Sequence, residues 1–218
     1  MVFEVKAMFV FDNVAYDSIV TIEKLNINRN EITCLVGPSG GGKSTILKMM
    51  NKSISPTEGT IRYEETPLAE IDSVEHRRRV IYLSQSPYIF EGTIKDNLQV
   101  GLLFHGKEPA DEKTLESMLR RVSLDKPLDA DASNLSGGEA QRLALGRVLL
   151  LEGDCYLMDE PSSALDDETE KLIIRTIADF VKRNKKTLVM ITHSRSIAEE
   201  YADHIYEIKA GKVKGDKR

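Results

Sequence analysis

Ile32-Thr33-Cys34-Leu35-Val36 runs directly into Gly37-Pro38-Ser39-Gly40-Gly41-Gly42-Lys43-Ser44-Thr45, and this junction decides the fold. The first five residues read as a strand buried on both faces. The next nine fit the pattern G-x-x-x-x-G-K-[ST] of a phosphate-binding loop, the P-loop. A triphosphate carries several negative charges, and backbone N–H groups surround it only where side chains do not obstruct them. Glycines at 37, 40, 41 and 42 permit a tight path, partly at φ > 0, that turns those N–H groups inward. A helix opening near Lys43 adds the positive end of its dipole. Lys43 is expected to reach the β- and γ-phosphates, and the Ser44 hydroxyl to ligate Mg²⁺. Pro38, Ser39 and Thr45 complete the expected ATP cradle. A merely flexible glycine turn is the alternative, and the strand before and helix after it argue against that.

On either side of the loop, short apolar runs alternate with helical periodicity. Cys155-Tyr156-Leu157-Met158 and Thr187-Leu188-Val189-Met190-Ile191 read as further buried strands, and Val80-Ile81-Tyr82-Leu83 as a fourth. Helical spacing covers Thr45–Asn51, Gly137–Leu151 and Glu168–Arg183. This alternation predicts an α/β fold, a P-loop NTPase core with a parallel central sheet. The first thirty residues differ: Val5 to Val10 and Val20 to Ile27, broken by Asp12-Asn13, predict an antiparallel β subdomain. The span from Ser86 to Leu151 lacks strong strand text and reads as an inserted helical subdomain. The expected organisation is one domain over 1–218. Its N-terminal β region covers about 1–30, its core 31–85 and 152–218, and its helical subdomain 86–151.

Two acids, Asp159 and Glu160, end the Cys155–Met158 run. An apolar strand holds carboxylates rigidly at the carboxyl edge of a sheet, where ligands bind in open α/β folds. Asp159 is expected to orient Mg²⁺, directly or through water. Glu160, one residue on and pointing elsewhere, suits a general base for the attacking water. Two acids after a strand form a solvated loop in other settings; the P-loop upstream favours the catalytic reading.

Leu135-Ser136-Gly137-Gly138-Glu139 narrows the class, because it resembles the signature of ABC ATPases and lies between P-loop and carboxylate pair. It has a local reading as well: Ser136 and Glu139 form a capping box opening the Gly137–Leu151 helix. Capping does not require two glycines, but close approach of a phosphate does. The resemblance implies that Ser136, Gly137 and Gly138 bind the γ-phosphate of ATP held by a second copy of the chain. It also implies a Q-loop role for Gln85, which senses Mg²⁺, and a D-loop at Ser163-Ala164-Leu165-Asp166. His193 matches the switch histidine that contacts the γ-phosphate. The core is then RecA-like. The family stacks an aromatic ring on adenine, for which Tyr16 is the candidate and Phe11 the second choice.

The 218 residues are 41% hydrophobic and 30% charged, ordinary for a globular chain with a real core. A net charge of −5 argues against a nucleic-acid partner. The basic run His76-Arg77-Arg78-Arg79 reads as a solvated helix end. No apolar stretch reaches the roughly 18 residues of a membrane span. Met1-Val2-Phe3-Glu4-Val5-Lys6 lacks a secretion-signal pattern. Cys34 and Cys155 lie in apolar runs and read as core residues rather than a disulfide or metal pair. The expected place is the cytoplasm, peripheral at the inner face of the membrane through an integral membrane permease, with no direct membrane insertion.

Tyr88, Ile89 and Phe90, after Gln85, read either as the surface receiving that permease or as subdomain core. The phrase Phe90 to Leu98 resembles exporter-type ATPases, and the chain is similar to ATP-binding subunits of bacterial systems described as metal (iron) exporters. The competing reading is a non-transport ABC ATPase that transmits force to an envelope or cell-division partner. DNA-repair ABC ATPases carry a long coiled coil between P-loop and signature, and this insertion is too short for one. A soluble P-loop kinase has no use for Leu135–Glu139.

Overall fold

The computed structural model describes residues 6–216. Met1 to Val5, where the N-terminal reading begins, lie outside them. In chain order the elements are β1 (Ala7–Tyr16), β2 (Val20–Asn28), β3 (Ile32–Val36), α1 (Lys43–Met50), β4 (Glu58–Tyr63) and β5 (Thr66–Pro67). Then come α2 (Ser73–Arg79), β6 (Val80–Leu83), α3 (Ile94–Phe104), α4 (Glu112–Arg121) and α5 (Gly137–Leu149). The chain finishes with β7 (Cys155–Asp159), α6 (Asp167–Arg183), β8 (Thr187–Ile191), α7 (Arg195–Tyr201), β9 (His204–Lys209) and β10 (Lys212–Asp216).

Two compact units share these elements. The first takes the chain up to Tyr82, Gly153–Glu160 and everything from Ala178 onward. It holds an antiparallel sheet of order β2-β1-β4-β5 and a larger sheet of order β10-β9-β3-β8-β7-β6. In the larger sheet β9, β3, β8 and β7 run parallel, and β10 turns back antiparallel on β9. Every residue of β7 and β8 is buried, as expected of a parallel strand covered on both faces. Ile46, Leu47, Met49 and Met50 of α1 join Phe9, Phe11, Ile22 and Leu25 of the antiparallel sheet and Leu157 and Val189 of the parallel one in a single core. Cys34 and Cys155 are free and buried, Cys155 within this core.

Asp12-Asn13 does not break the first strand. β1 continues through it as a bulge, with Asp12 opposite Thr60 and Ala15 opposite Glu58. Asn13 takes φ 48°, and a Cβ on Gly59 would stand 2.1 Å from its carbonyl oxygen. The glycine is what lets the partner strand close over the extra residue. The basic run also needs correction. Arg77, Arg78 and Arg79 are exposed, but His76 is 1% exposed and its Nε2–H donates to the Met50 carbonyl at 2.7 Å. Its ring meets Tyr63 edge-on, so one face of α2 belongs to the core.

The second unit comprises Leu83–Glu152 and Pro161–Ile177. α3 and α4 pack on α5. Gly146 of α5 admits this approach: a Cβ there would stand 3.2 Å from Leu98 and 3.4 Å from Met118. Asn97, fully buried, uses its amide like a backbone, accepting from Phe90 N–H and donating to the Phe90 carbonyl, each at 2.9 Å.

The packing of α1 sets one expectation. Leu47 is 0% exposed, and Leu47→Ala should cost about 2–5 kcal/mol through lost burial and a residual cavity. Val74, 53% exposed on α2, should tolerate alanine within about 0.5 kcal/mol. Urea unfolding followed by circular dichroism compares the two; equal midpoints would refute the core described above.

Candidate active site

The loop leaves β3 at Gly37, whose φ of 138° is open to glycine alone in practice. A Cβ there would stand 2.1 Å from the Ile208 carbonyl oxygen of β9. Gly41 N–H donates to Pro38 O at 3.2 Å, and Gly211 N–H of the β9–β10 turn donates to Gly41 O at 3.0 Å. Gly42, at φ 98°, caps α1 with no side-chain hydrogen bond, so the first-turn amides are left to whatever the loop encloses. Pro38, Ser39 and Gly40 are exposed, and Ser44 and Thr45 half-buried. Lys43 is only 5% exposed, and its ammonium donates to the Gly37 and Pro38 carbonyls, both at 2.9 Å. Burial pushes its pKa down, while the Glu160 and Asp159 carboxylates push it back up.

Parallel register brings the strand ends together. Leu35 pairs with Ile191, and Ile191 with Asp159, so P-loop, carboxylates and His193 leave one sheet edge. Asp159, the last residue of β7, is 4% exposed. Its Oδ2 accepts from the Tyr82 hydroxyl at 3.2 Å, and its Oδ1 is buried without a hydrogen-bond partner. Glu160 turns off the strand at φ 49°, in the left-handed region, its N–H donating to Ile191 O at 3.2 Å. Its Oε1 lies 2.7 Å from His193 Nε2. A cavity of about 380 Å³ beside this edge has Gly37, His193, Arg195 and Glu207 in its walls.

The residues fit Mg²⁺. A hard cation takes oxygen ligands and, with nucleotides, few from protein. Asp159 Oδ1 is such an oxygen, and Ser44 offers a hydroxyl in the first turn of the loop helix. No cluster of three or more His, Cys, Asp or Glu able to hold a metal exists among the described residues.

Tyr16 ends β1 half-buried, and the Ile19 N–H donates to its carbonyl at 3.0 Å in the turn that follows. That turn lies against the loop: a Cβ on Gly42 would stand 3.3 Å from Ile19 O. Phe11 is 0% exposed, sealed in the core with no face for a ligand ring, and leaves Tyr16 as the aromatic available there.

In the second unit Gln85 is exposed just past β6. Ser136 caps α5 and forms the reciprocal box with Glu139. A Cβ on Gly137 would meet nothing within 4 Å, whereas one on Gly138 would stand 3.1 Å from Ala164 O. The Ser163–Asp166 loop is therefore tied to the signature helix, and Gln141 tightens the tie by accepting from Ala164 N–H at 3.1 Å. Asp166 receives the Thr169 N–H at 3.0 Å at the start of α6. Tyr88 is 69% exposed, Ile89 and Phe90 are half-buried, and Phe90 packs edge-on to Tyr88 and Phe104. Gln141 and Tyr82 escaped the sequence reading: one is a polar residue within a helix, the other a hydroxyl inside an apolar strand.

The Glu139 carboxylate is held down to about 2 by the Ser136 backbone N–H and hydroxyl and by Lys126. A carboxylate whose folded pKa is depressed contributes stability above its unfolded value, near 4.5, and loses it as pH falls toward 2. Glu139 should stay ionised at about pH 3, where free glutamate is mostly protonated. Carboxyl-detected NMR titration reads this directly, and a midpoint at the ordinary glutamate value would refute the box.

The ABC transporter family model matches residues 21–163. The Lactococcin-A transport/processing ATP-binding protein of Lactococcus lactis subsp. lactis is 37% identical over 197 residues, which are 87% of this chain and 27% of that protein. The chain thus spans about a quarter of that curated relative. An ATP-binding cassette solved as a dimer in a post-hydrolysis state with ADP and Pi superposes at TM-score 0.86 and 26% identity, over 97% of this chain and 98% of that one. A bacterial Atm1-family ABC exporter with ATP bound gives 0.88 and 25%, over 99% of this chain and 39% of the exporter chain. With a glycine loop, a capped signature helix and paired acids in that order, the chain belongs to the ABC transporter family, as an ATP-binding and ATP-hydrolysing member.

Proposed function

We propose that this chain is the motor of a transporter whose permease is a separate polypeptide in the cell membrane, to which it docks from the cytoplasmic face. Two copies close head to tail, each holding ATP on its own P-loop and covering the partner's γ-phosphate with Ser136, Gly137 and Gly138. The observation that carries this reading is Gly137. Nothing among the described residues packs so as to require a glycine there, yet it opens a capped helix whose N-terminal amides favour an anion. A dimeric cassette with ADP and Pi bound is a structural neighbour and supports the pairing.

In the cradle Lys43 leaves the Gly37 and Pro38 carbonyls for the β- and γ-phosphates. Glu160 accepts the proton of the attacking water, and His193, now against Oε1, orients it and meets the γ-phosphate. Ser44 and Asp159 would hold Mg²⁺, with Gln85 sensing it, and the cation would supply charge neutralisation at the phosphate oxygens. Tyr16 stacks on adenine. The Tyr88–Phe90 segment with exposed Leu103 and Phe104 supplies the permease contact. No helix among the described residues is long and apolar enough to cross a membrane. Relatedness to a transport/processing protein and to an exporter favours transport over force transmission to an envelope or division factor.

Two outcomes are expected. Glu160→Gln should bind ATP, lose hydrolysis by about a hundredfold or more, and elute as a dimer in Mg-ATP; a monomer under saturating nucleotide would sink the sandwich scheme. Tagged Glu160→Gln in Mg-ATP should retain one multi-span protein from detergent-solubilised membranes, and Tyr88→Ala with Phe104→Ala should release it. Recovery of a single-span envelope factor instead would transfer the assignment to a force-transmitting ATPase.

A further inference from the structure

β6 is apolar in text and buried in fact at Val80, Ile81 and Leu83, each at most 4% exposed. Tyr82 brings the one polar side-chain atom of that strand, and the hydroxyl donates to Asp159 Oδ2 on the neighbouring β7. Phenylalanine would fill the same space without the bond, so packing alone does not call for tyrosine. The consequence falls on the other oxygen. The χ2 torsion of aspartate is broad and nearly two-fold, so a carboxylate held at neither oxygen rotates freely. Held at Oδ2, it presents Oδ1 in one direction, and Oδ1 is the buried atom without a partner.

We propose that Tyr82 is a positioning residue for the cation: its hydroxyl locks the Asp159 carboxylate so that Oδ1 is aimed at Mg²⁺. The inference rests on Asp159 as the protein carboxylate of that cation. Tyr82 touches neither metal nor phosphate and acts only through Asp159. Partners that orient a metal-binding side chain are worth about 10–100-fold in metal affinity, and a single bond of 3.2 Å belongs at the lower end.

The test uses the whole chain, Mn²⁺ as the probe and electron paramagnetic resonance as the readout, with a non-hydrolysable ATP analogue present. Tyr82→Phe should weaken Mn²⁺ binding about tenfold while leaving the analogue's affinity in EDTA unchanged. Asp159→Asn should weaken Mn²⁺ binding further, and Tyr82→Phe should add nothing in that background, because both act through the one carboxylate. Unchanged Mn²⁺ affinity in Tyr82→Phe, with a clear loss in Asp159→Asn, overturns the role of Tyr82 and spares that of Asp159. Full Mn²⁺ affinity in Asp159→Asn overturns both. An equal fall of analogue affinity in EDTA would mark Tyr82→Phe as a general distortion and likewise overturn the proposal.

Discussion

Backbone amides hold a polyphosphate only where the chain brings no side chain of its own, and much of the first unit serves that condition. Gly37 passes so close to the Ile208 carbonyl that any Cβ would collide, and Gly41 would carry its Cβ 3.1 Å from the same oxygen. The C-terminal hairpin contributes no catalytic group, yet β9 is the wall against which the loop bends. The turn after β9 fastens the loop through Gly211 N–H to Gly41 O. The same turn receives the Thr21 N–H at 2.8 Å, so the antiparallel sheet is tied to the loop's floor. Removing the hairpin would leave the glycines intact and their path undetermined.

The fold class was legible in the alternation of buried strands and helices. Lys43, Asp159, Glu160 and Ser136 stand out in the text because the tasks proposed for them demand given residue types at fixed spacing beside a strand or helix. Glu58-Gly59-Thr60-Ile61-Arg62-Tyr63 was passed over as a strand, since only Ile61 and Tyr63 face the core and the rest is polar or glycine. β9 hid likewise, with Ile205 and Ile208 alone buried. Asp12-Asn13 read as a break because turn-forming residues in one strand say nothing of a glycine 46 positions on that accommodates a bulge. His76 was masked by three arginines that share its helix but not its face.

Tyr82 shows the other limit. Its text is that of a core residue, and most of its ring behaves as one. Only the placement of Asp159 on the next strand gives the hydroxyl a task, and strand order is a tertiary fact. Gln141 is the same case in the second unit: its partner, Ala164, lies 23 residues away, on a loop whose position is set by the rest of that unit. Residues that act through another residue leave no spacing pattern behind.

The different duties proposed for the adjacent acids pose a geometrical problem, and the backbone at Glu160 meets it. Successive residues of a strand point to opposite faces, so an unbroken β7 would send Glu160 away from the face served by Asp159. At φ 49° the chain leaves the strand instead, in a conformation that costs a non-glycine residue on the order of 1 kcal/mol or more. Glycine would remove that cost and with it the carboxylate that the proposed base requires. It is offset locally: the Glu160 N–H is bonded to Ile191 O, and the side chain closes on His193, which leaves the sheet two residues after Ile191. The strain and the pairing thus have one cause, the need to bring both carboxylates to a single sheet edge while Asp159 stays rigid within it.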